Sequence, residues 1–181
     1  MSTNLLAEVE ISSKTTLLGG MAVGVAEGAV AAIAFGHKSA AAAERDVRRQ
    51  MRDLPEPAGG TQGNVAADEV LEVLTDYAAG EAVNFSKMPV YSYPRTSFQQ
   101  RVIAACCAIP RGKTLTYGQL AAKVGNPGAA RAVGSVMSSN PLPLVIPCHR
   151  VLAAGGGLGG YSARQGLAMK RRLLEMEGAE F

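Results

Sequence analysis

The chain has 181 residues, 48% of them apolar, 5% aromatic and none of them Trp, with a net charge of +3. That length suits one large domain or two small ones, and the apolar share is enough for a core. So few aromatics exclude an extensive base-stacking platform, and no apolar run nears the ~20 residues of a membrane span.

The N-terminus has no basic segment followed by an apolar core, so no secretory signal is expected. Three cysteines, two of them neighbours (Cys106, Cys107 and Cys148), imply no disulfide framework and fit a reducing compartment, cytoplasm or nucleus. The charge is unevenly spread. Residues 1–94 hold seven Lys/Arg against twelve Asp/Glu, a net −5, while residues 95–181 hold eleven against three, a net +8. From Arg95 to Leu174 there is no acid at all. Chance clustering on a solvated surface accounts poorly for such a stretch. A polyanionic partner, DNA or RNA, accounts for it better.

Loose alternation over residues 5–12 predicts a strand. Met21, Val23 and Val25 predict a second, and Val30, Ile33 and Phe35 a third, with glycines supplying the turns of a small antiparallel sheet. Ser39 is placed to cap a helix reaching about Leu54. Its Arg45, Arg48, Arg49 and Arg52 share one face, read as solvated because Asp46 and Asp53 lie close by. A Pro/Gly-rich loop over 55–64 precedes a helix over 65–79. Two prolines between Met88 and Pro94 mark a boundary where the charge changes sign, giving domains 1–93 and 94–181.

The second domain opens with a helix over 97–109, capped by Thr96 or Ser97. Phe98, Val102, Ile103 and Cys106 face its core, and both helical cysteines are read as small, buried and inert. Thr116 caps a short helix over 117–124. After the turn Gly125-Asn126-Pro127-Gly128, a second helix spans about 129–138, a helix-turn-helix pattern. That second helix is almost bare, with Arg131 its single long probe, which suits close approach to a nucleic acid. A final helix over 165–177 carries Leu167, Met169, Leu173, Leu174 and Met176.

Between these helices lies Pro143-Leu144-Val145-Ile146-Pro147-Cys148-His149-Arg150-Val151. A strand-like apolar run ends at a proline, and a thiol, an imidazole and a guanidinium follow. A free thiol has a pKa of ~8.5, so a nucleophilic role needs a base or a positive field. Adjacency does not supply it, because neighbouring side chains of an extended segment point to opposite faces. A sharp turn after Pro147 would let His149 reach the sulfur, directly or through water. A carboxylate behind the imidazole would complete the logic of a triad, and the basic half offers only Glu175, Glu177 and Glu180 for it. Cys148 as inert core stays open on local grounds. A metal site is poorly supported, since no zinc spacing is present.

At Ile146-Pro147-Cys148-His149-Arg150-Val151 the chain resembles the O6-alkylguanine-DNA alkyltransferase (methylated-DNA–protein-cysteine methyltransferase) family. The likeness runs from about Thr96 to Gly178. It includes Phe98-Gln99-Gln100-Arg101-Val102, Thr116-Tyr117-Gly118-Gln119-Leu120-Ala121, Gly125-Asn126-Pro127, Ala129-Ala130-Arg131-Ala132-Val133-Gly134, Ser139-Asn140-Pro141, Gly160-Tyr161 and Glu177-Gly178. Several motifs in one order are far more specific than Pro-Cys-His alone.

The resemblance implies an α+β protein: an N-terminal RNase H-like domain and a mostly helical, winged-helix-like C-terminal domain. It implies a DNA repair protein that moves the alkyl group of O6-alkylguanine, and of O4-alkylthymine, irreversibly to its own cysteine, one turnover per molecule. Cys148 would accept the alkyl group, with His149 as base through water and Glu177 polarising it. Asn140 would couple the helix-turn-helix to the active-site turn, and Tyr117 would supply a proton to the departing base. Tyr117 and Arg131 would flip the nucleotide, while Ala129, Ala130 and Ser135 meet DNA through the minor groove. Met137, Pro143, Val151, Tyr161 and Ser162 would form the base pocket.

The implied partner is double-stranded DNA carrying the lesion. The protein would be a monomer, with cooperative assembly on DNA left open and no membrane contact. No cofactor is expected, and no metal: some members bind zinc in their N-terminal domain, but residues 1–105 here contain no Cys. The segment 155–165 is more glycine-rich than in many members. Two competing readings are a lesion-binding protein of the same fold without chemistry, whose known members lack the cysteine, and a transcriptional regulator with an inert buried Cys.

Overall fold

The computed structural model describes residues 9–59 and 63–181. The protein is α+β, and the chain divides into two compact units, Met1–Pro94 and Arg95–Phe181.

Unit 1 is built on a three-stranded antiparallel meander of β1 (Val9–Thr16), β2 (Gly19–Ala26) and β3 (Ala29–His37), in that order. Of the first expected strand, residues 5–8 lie outside the described residues, and the strand itself runs on to Thr16. The reason is the hairpin. Pairing holds from Val9↔Ala26 to Thr16↔Gly19, so the polar Ser12-Ser13-Lys14-Thr15-Thr16 stays in the ladder at the sheet's edge. An edge strand with one wet face needs no apolar alternation.

Strands β2 and β3 are buried almost throughout, which their Ala/Val/Gly composition permits. Two helices cover them, α1 (Ala40–Arg52) and α2 (Ala67–Ala78). Ser39 accepts a hydrogen bond from the Ala42 amide at 3.2 Å and starts α1. Ala43, Val47 and Met51 form its buried stripe, spaced i, i+4, i+8. A Cβ on Gly24 would come within 2.7 Å of Met51 Sδ and 2.9 Å of Val47 Cγ1, so the absence of a side chain there sets how closely α1 sits on the sheet. Helix α2 lacks a capping side chain at Ala66. Glu10 of β1 supplies one instead, accepting from the Ala67 amide at 3.0 Å. The arginine face of α1 is solvated, with Arg48 on Glu44 and Arg49 on Asp46.

Unit 2 contains α3 (Ser97–Cys107), β4 (Leu115–Thr116), α4 (Tyr117–Lys123), α5 (Ala130–Ser138), β5 (Val151–Leu152) and α6 (Gly166–Met176). Strands β4 and β5 pair in parallel, and α3, α4 and α5 pack on one another. Both α3 and α4 begin with reciprocal Thr/Gln boxes. The Gln99 amide donates to Thr96 Oγ1 and the Thr96 amide to Gln99 Oε1, and Gln119 and Thr116 repeat the pattern. Thr96, not Ser97, is therefore the cap.

Three expectations need correcting. Cys106 is buried but Cys107 is exposed, because adjacent residues on a helix point about 100° apart and cannot share a buried face. Leu167 in the first turn of α6 is exposed, while Met169, Leu173 and Leu174 are buried. Leu144-Val145-Ile146 is not a strand. Pro141, Pro143 and Pro147 remove three ladder donors from seven positions. The chain turns instead, with Leu144 at φ 75° and the Ile146 amide on the Leu142 carbonyl at 2.9 Å.

Candidate active site

The buried turn leads directly into a single 3-10 turn at Cys148–Arg150. The Cys148 amide donates to the Ile146 carbonyl at 2.7 Å and the Arg150 amide to the Pro147 carbonyl at 2.9 Å. Successive residues of a 3-10 turn fan out by about 120°, so thiol, imidazole and guanidinium leave the backbone in different directions. All three are buried.

Asn140, just past α5, organises the thiol. Its Oδ1 accepts from the Leu142 amide at 2.9 Å, while Nδ2 donates to the Ile146 carbonyl at 2.9 Å and to Cys148 Sγ at 3.3 Å. One side chain thus closes the turn and touches the sulfur, which ties α5 to the reacting atom. Burial pushes the Cys148 thiol up, against the opposing pull of the Asn140 hydrogen bond and the Lys170 charge. The resting sulfur at neutral pH is a thiol.

His149 and Glu177 meet despite lying 28 residues apart in sequence, with Nε2 at 3.0 Å from Oε1. The local fold explains the meeting. Helix α6 ends in a Schellman turn: the Ala179 amide bonds the Leu174 carbonyl, the Gly178 amide bonds the Glu175 carbonyl, and Gly178 sits at φ 69°. Glu177 is the last residue before that reversal, and its side chain is fully buried. A carboxylate facing Nε2 places the imidazole hydrogen there and leaves Nδ1 as the basic nitrogen. Burial lowers His149 from its ordinary value, and Glu177 opposes this, so the imidazole is neutral at physiological pH.

The sequence reading missed two buried cations. Arg150 donates from Nε to Glu177 Oε2 at 2.8 Å, from Nη2 to Oε1 at 2.9 Å and from Nη1 to the Ile109 carbonyl at 2.6 Å. Lys170 is fully buried and donates to the Val151 carbonyl at 2.6 Å and the Gly160 carbonyl at 3.2 Å, with its ammonium 5.7 Å from the centre of the Tyr117 ring. Burial pulls Lys170 down to about 8. The signal for Lys170 was present: it falls three and four residues before Leu173 and Leu174, on the apolar stripe of α6. Arg150 stood beside His149 in the motif, but sequence cannot show where a guanidinium lands.

Cys148 opens onto a cavity of about 730 Å³. Tyr117, Ala130, Arg131, Met137, Tyr161 and Ser162 line it, together with Thr116, Gly118, Gly134, Ser138, Ala153, Ala154 and Gly160. Of the expected residues, Ala129, Ser135, Pro143 and Val151 do not. Ala129 precedes α5 and Ser135 is exposed on it, whereas Pro143 and Val151 are buried behind the turn. The Tyr117 hydroxyl donates to the Gly160 carbonyl at 3.4 Å, and a Cβ on Gly159 would come within 2.8 Å of the Tyr117 ring. The glycine-rich segment is thereby a close-fitting wall against Tyr117. Burial raises the Tyr117 hydroxyl, so it holds its proton at neutral pH. A thiol and a protonated phenol on one cavity, with a neutral imidazole on the residue that follows the thiol, can accept an alkyl group and protonate its former carrier. Among the described residues, no group of three or more His, Cys, Asp or Glu could hold a metal ion, and no helix is long and apolar enough to cross a membrane.

Residues 97–179 match the family model of the DNA-binding domain of 6-O-methylguanine DNA methyltransferase. The chain is 44% identical over 124 residues to a methylated-DNA–protein-cysteine methyltransferase of Mycobacterium leprae, covering 68% of this chain and 72% of the relative. It is 41% identical over 114 residues to one of Methanothermobacter thermautotrophicus, covering 63% and 62%. Among solved structures it is similar to Mycobacterium tuberculosis OGT in complex with DNA, at a TM-score of 0.69 and 30% identity over 93% of this chain and 92% of that one. It is also similar to the O6-methylguanine-DNA methyltransferase of Pyrococcus kodakaraensis, at a TM-score of 0.71 and 26% identity over 95% and 100%.

Proposed function

The chain belongs to the methylated-DNA–protein-cysteine methyltransferase family, and on that premise we propose that it repairs O6-alkylguanine in double-stranded DNA by taking the alkyl group onto Cys148 Sγ. The S–H proton passes to His149, through a water. The S–C bond forms as the C–O6 bond breaks, and the electron pair of that bond stays on guanine. Tyr117 protonates the base and is itself reprotonated from solvent. The thioether is not reopened, so each molecule acts once. O4-alkylthymine presents the same aryl ether carbon and falls within the same chemistry.

One observation carries this reading: the sulfur that touches Asn140 also lines the cavity, and the residue that follows it, His149, is paired with Glu177. Arg131 and Ala130 line the same cavity from α5, which suits a helix that inserts one long side chain where a nucleotide has left the stack. Ala129 and Ser135 lie at the start and on the exposed side of α5, where they would face the backbone of DNA. The basic charge of unit 2 supplies attraction for phosphate. Since the substrate is chromosomal DNA, the protein would work in the cytoplasm, or in the nucleus of a eukaryotic cell.

A lesion-binding protein without chemistry would have no need of the thiol, so Cys148 disfavours that alternative. Intact-mass measurement after incubation with a duplex containing O6-methylguanine decides between them. One methyl adduct, mapped to Cys148 and absent in Cys148→Ser, is expected. Tight binding with no adduct would leave the binding module standing.

A further inference from the structure

Glu177 faces two partners at once, and the second alters what the first can do. A carboxylate behind an imidazole ordinarily stabilises the imidazolium, which raises the basicity of the ring. Here Oε1 is shared. It faces His149 Nε2 at 3.0 Å and accepts from Arg150 Nη2 at 2.9 Å, while Oε2 accepts from Arg150 Nε at 2.8 Å. The fork matches both carboxylate oxygens, an arrangement that fixes orientation as well as charge. Nη1 anchors the guanidinium to the Ile109 carbonyl, just past α3. The carboxylate therefore cannot rotate away from His149, and its charge is already balanced.

We propose that Arg150 is a positioning residue that aims Glu177 at His149 while cancelling its charge, so that His149 stays a neutral base and holds a proton only transiently. This rests on the alkyl-transfer reading above.

The charges around His149 support the proposal. Glu177 and Lys170 act on it from α6 and Arg150 from its own turn, and Cys148 is the residue before it, with Cys106 of α3 and Tyr117 of α4 close enough to feel that cysteine's charge. At rest the two cysteines and the tyrosine are neutral, which leaves one carboxylate against two cations. Arg150 and Lys170 both oppose protonation of the imidazole. An imidazolium there is a third cation, and it is balanced only while Cys148 carries the negative charge. Once the sulfur becomes a thioether and the charge leaves with guanine, His149 must release its proton to solvent. The same balance protects the resting site. With no lasting imidazolium beside it, the thiol is not held as a thiolate open to stray electrophiles.

The test is the pH dependence of single-turnover transfer to Cys148 from O6-methylguanine duplex, together with an NMR titration of the His149 ring. Wild-type protein should keep its rate down to well below the ordinary histidine value of about 6.5. In Arg150→Met the carboxylate is uncompensated and the imidazolium is favoured, so the acid limb should move up in pH. The rate at pH 6 should fall about tenfold relative to the same variant at pH 8.5, which places the variant's limb near pH ~7. Arg150→Lys keeps the charge without the fork, so its limb should lie between the two. Where the methionine variant does not fold, the lysine variant decides alone. A limb and a ring titration coincident with wild type, or a rate reduced equally at every pH, would overturn the proposal and leave Arg150 a structural residue. If wild-type protein forms no adduct, the transfer reading fails instead, and the ring titration still decides the role of Arg150.

Discussion

The two units solve the problem of burial in opposite ways. Unit 1 hides small apolar side chains between a sheet and two helices, and its ion pairs keep at least part of their surface in water. Unit 2 buries His149, Arg150, Lys170 and Glu177, the buried polar and charged residues of the described chain. Each of them needs partners, since an ionised group taken out of water costs several kcal/mol unless it is paired and hydrogen-bonded. Backbone carbonyls of Ile109, Val151 and Gly160 provide part of that pairing, and they are available because the surrounding chain is turn rather than ladder. The irregularity of unit 2 thus goes with its chemistry, while unit 1 is regular because it has only apolar surface to satisfy.

The comparison is broken most sharply at Glu177. Glu177→Gln removes the charge that Arg150 requires and leaves a buried guanidinium without its anion. Breaking a buried pair from one side costs about 3–5 kcal/mol, and the denaturant midpoint of unit 2 should fall accordingly. The midpoint is the right measure because repair would also be lost for the separate reason that His149 loses its partner. A change below about 1 kcal/mol would mean the cluster is wetter than its burial indicates.

Next in size is an overpacking test of unit 1. Gly24→Ala places a methyl group 2.7 Å from Met51 Sδ and 2.9 Å from Val47 Cγ1. Either α1 moves outward or Met51 leaves its rotamer, at a cost of about 1–3 kcal/mol. Pairing the change with Met51→Ala should recover part of the loss, because the clashing atom is the end of a flexible side chain. Full additivity of the two losses, measured by denaturant unfolding, would show that contact with the helix does not set the requirement for glycine.

How far each unit could be read from its residues follows the same division. The sheet of unit 1 was legible because glycines and alternating apolar residues report directly on pleat and turn. Ser39 was legible because an N-cap is a local hydrogen bond. Cys148 and His149 stood out from the residues themselves, a thiol and an imidazole directly after a proline, whereas Asn140, and the choice of Glu177 among three carboxylates, were legible only through resemblance. The strand-like look of Leu144-Val145-Ile146 misled because hydrophobicity signals burial without specifying conformation. Three prolines in the vicinity carried the better information. Cys107 was read as buried with Cys106 although a helix cannot hide both. Lys170 and Arg150 escaped because a cation is read by default as solvated, and only the fold shows that their partners are carbonyls and a carboxylate distant in sequence.

The smallest expected effect is on the exposed side of unit 1, where Lys14 and Glu72 pair at 2.9 Å with side chains 45% and 65% exposed. The distance resembles that of Arg150 to Glu177, yet the energy should not. Water already solvates both ends, and holding two long side chains in one geometry costs rotamer entropy that offsets the Coulomb gain. Lys14→Ala and Glu72→Ala should each change stability by no more than about 0.5 kcal/mol. A double-mutant cycle should give a coupling energy that shrinks further at about 1 M salt, where the screening length is about 3 Å. A coupling as large as that of the buried pair would mean that distance, rather than desolvation, sets the worth of an ion pair in this chain.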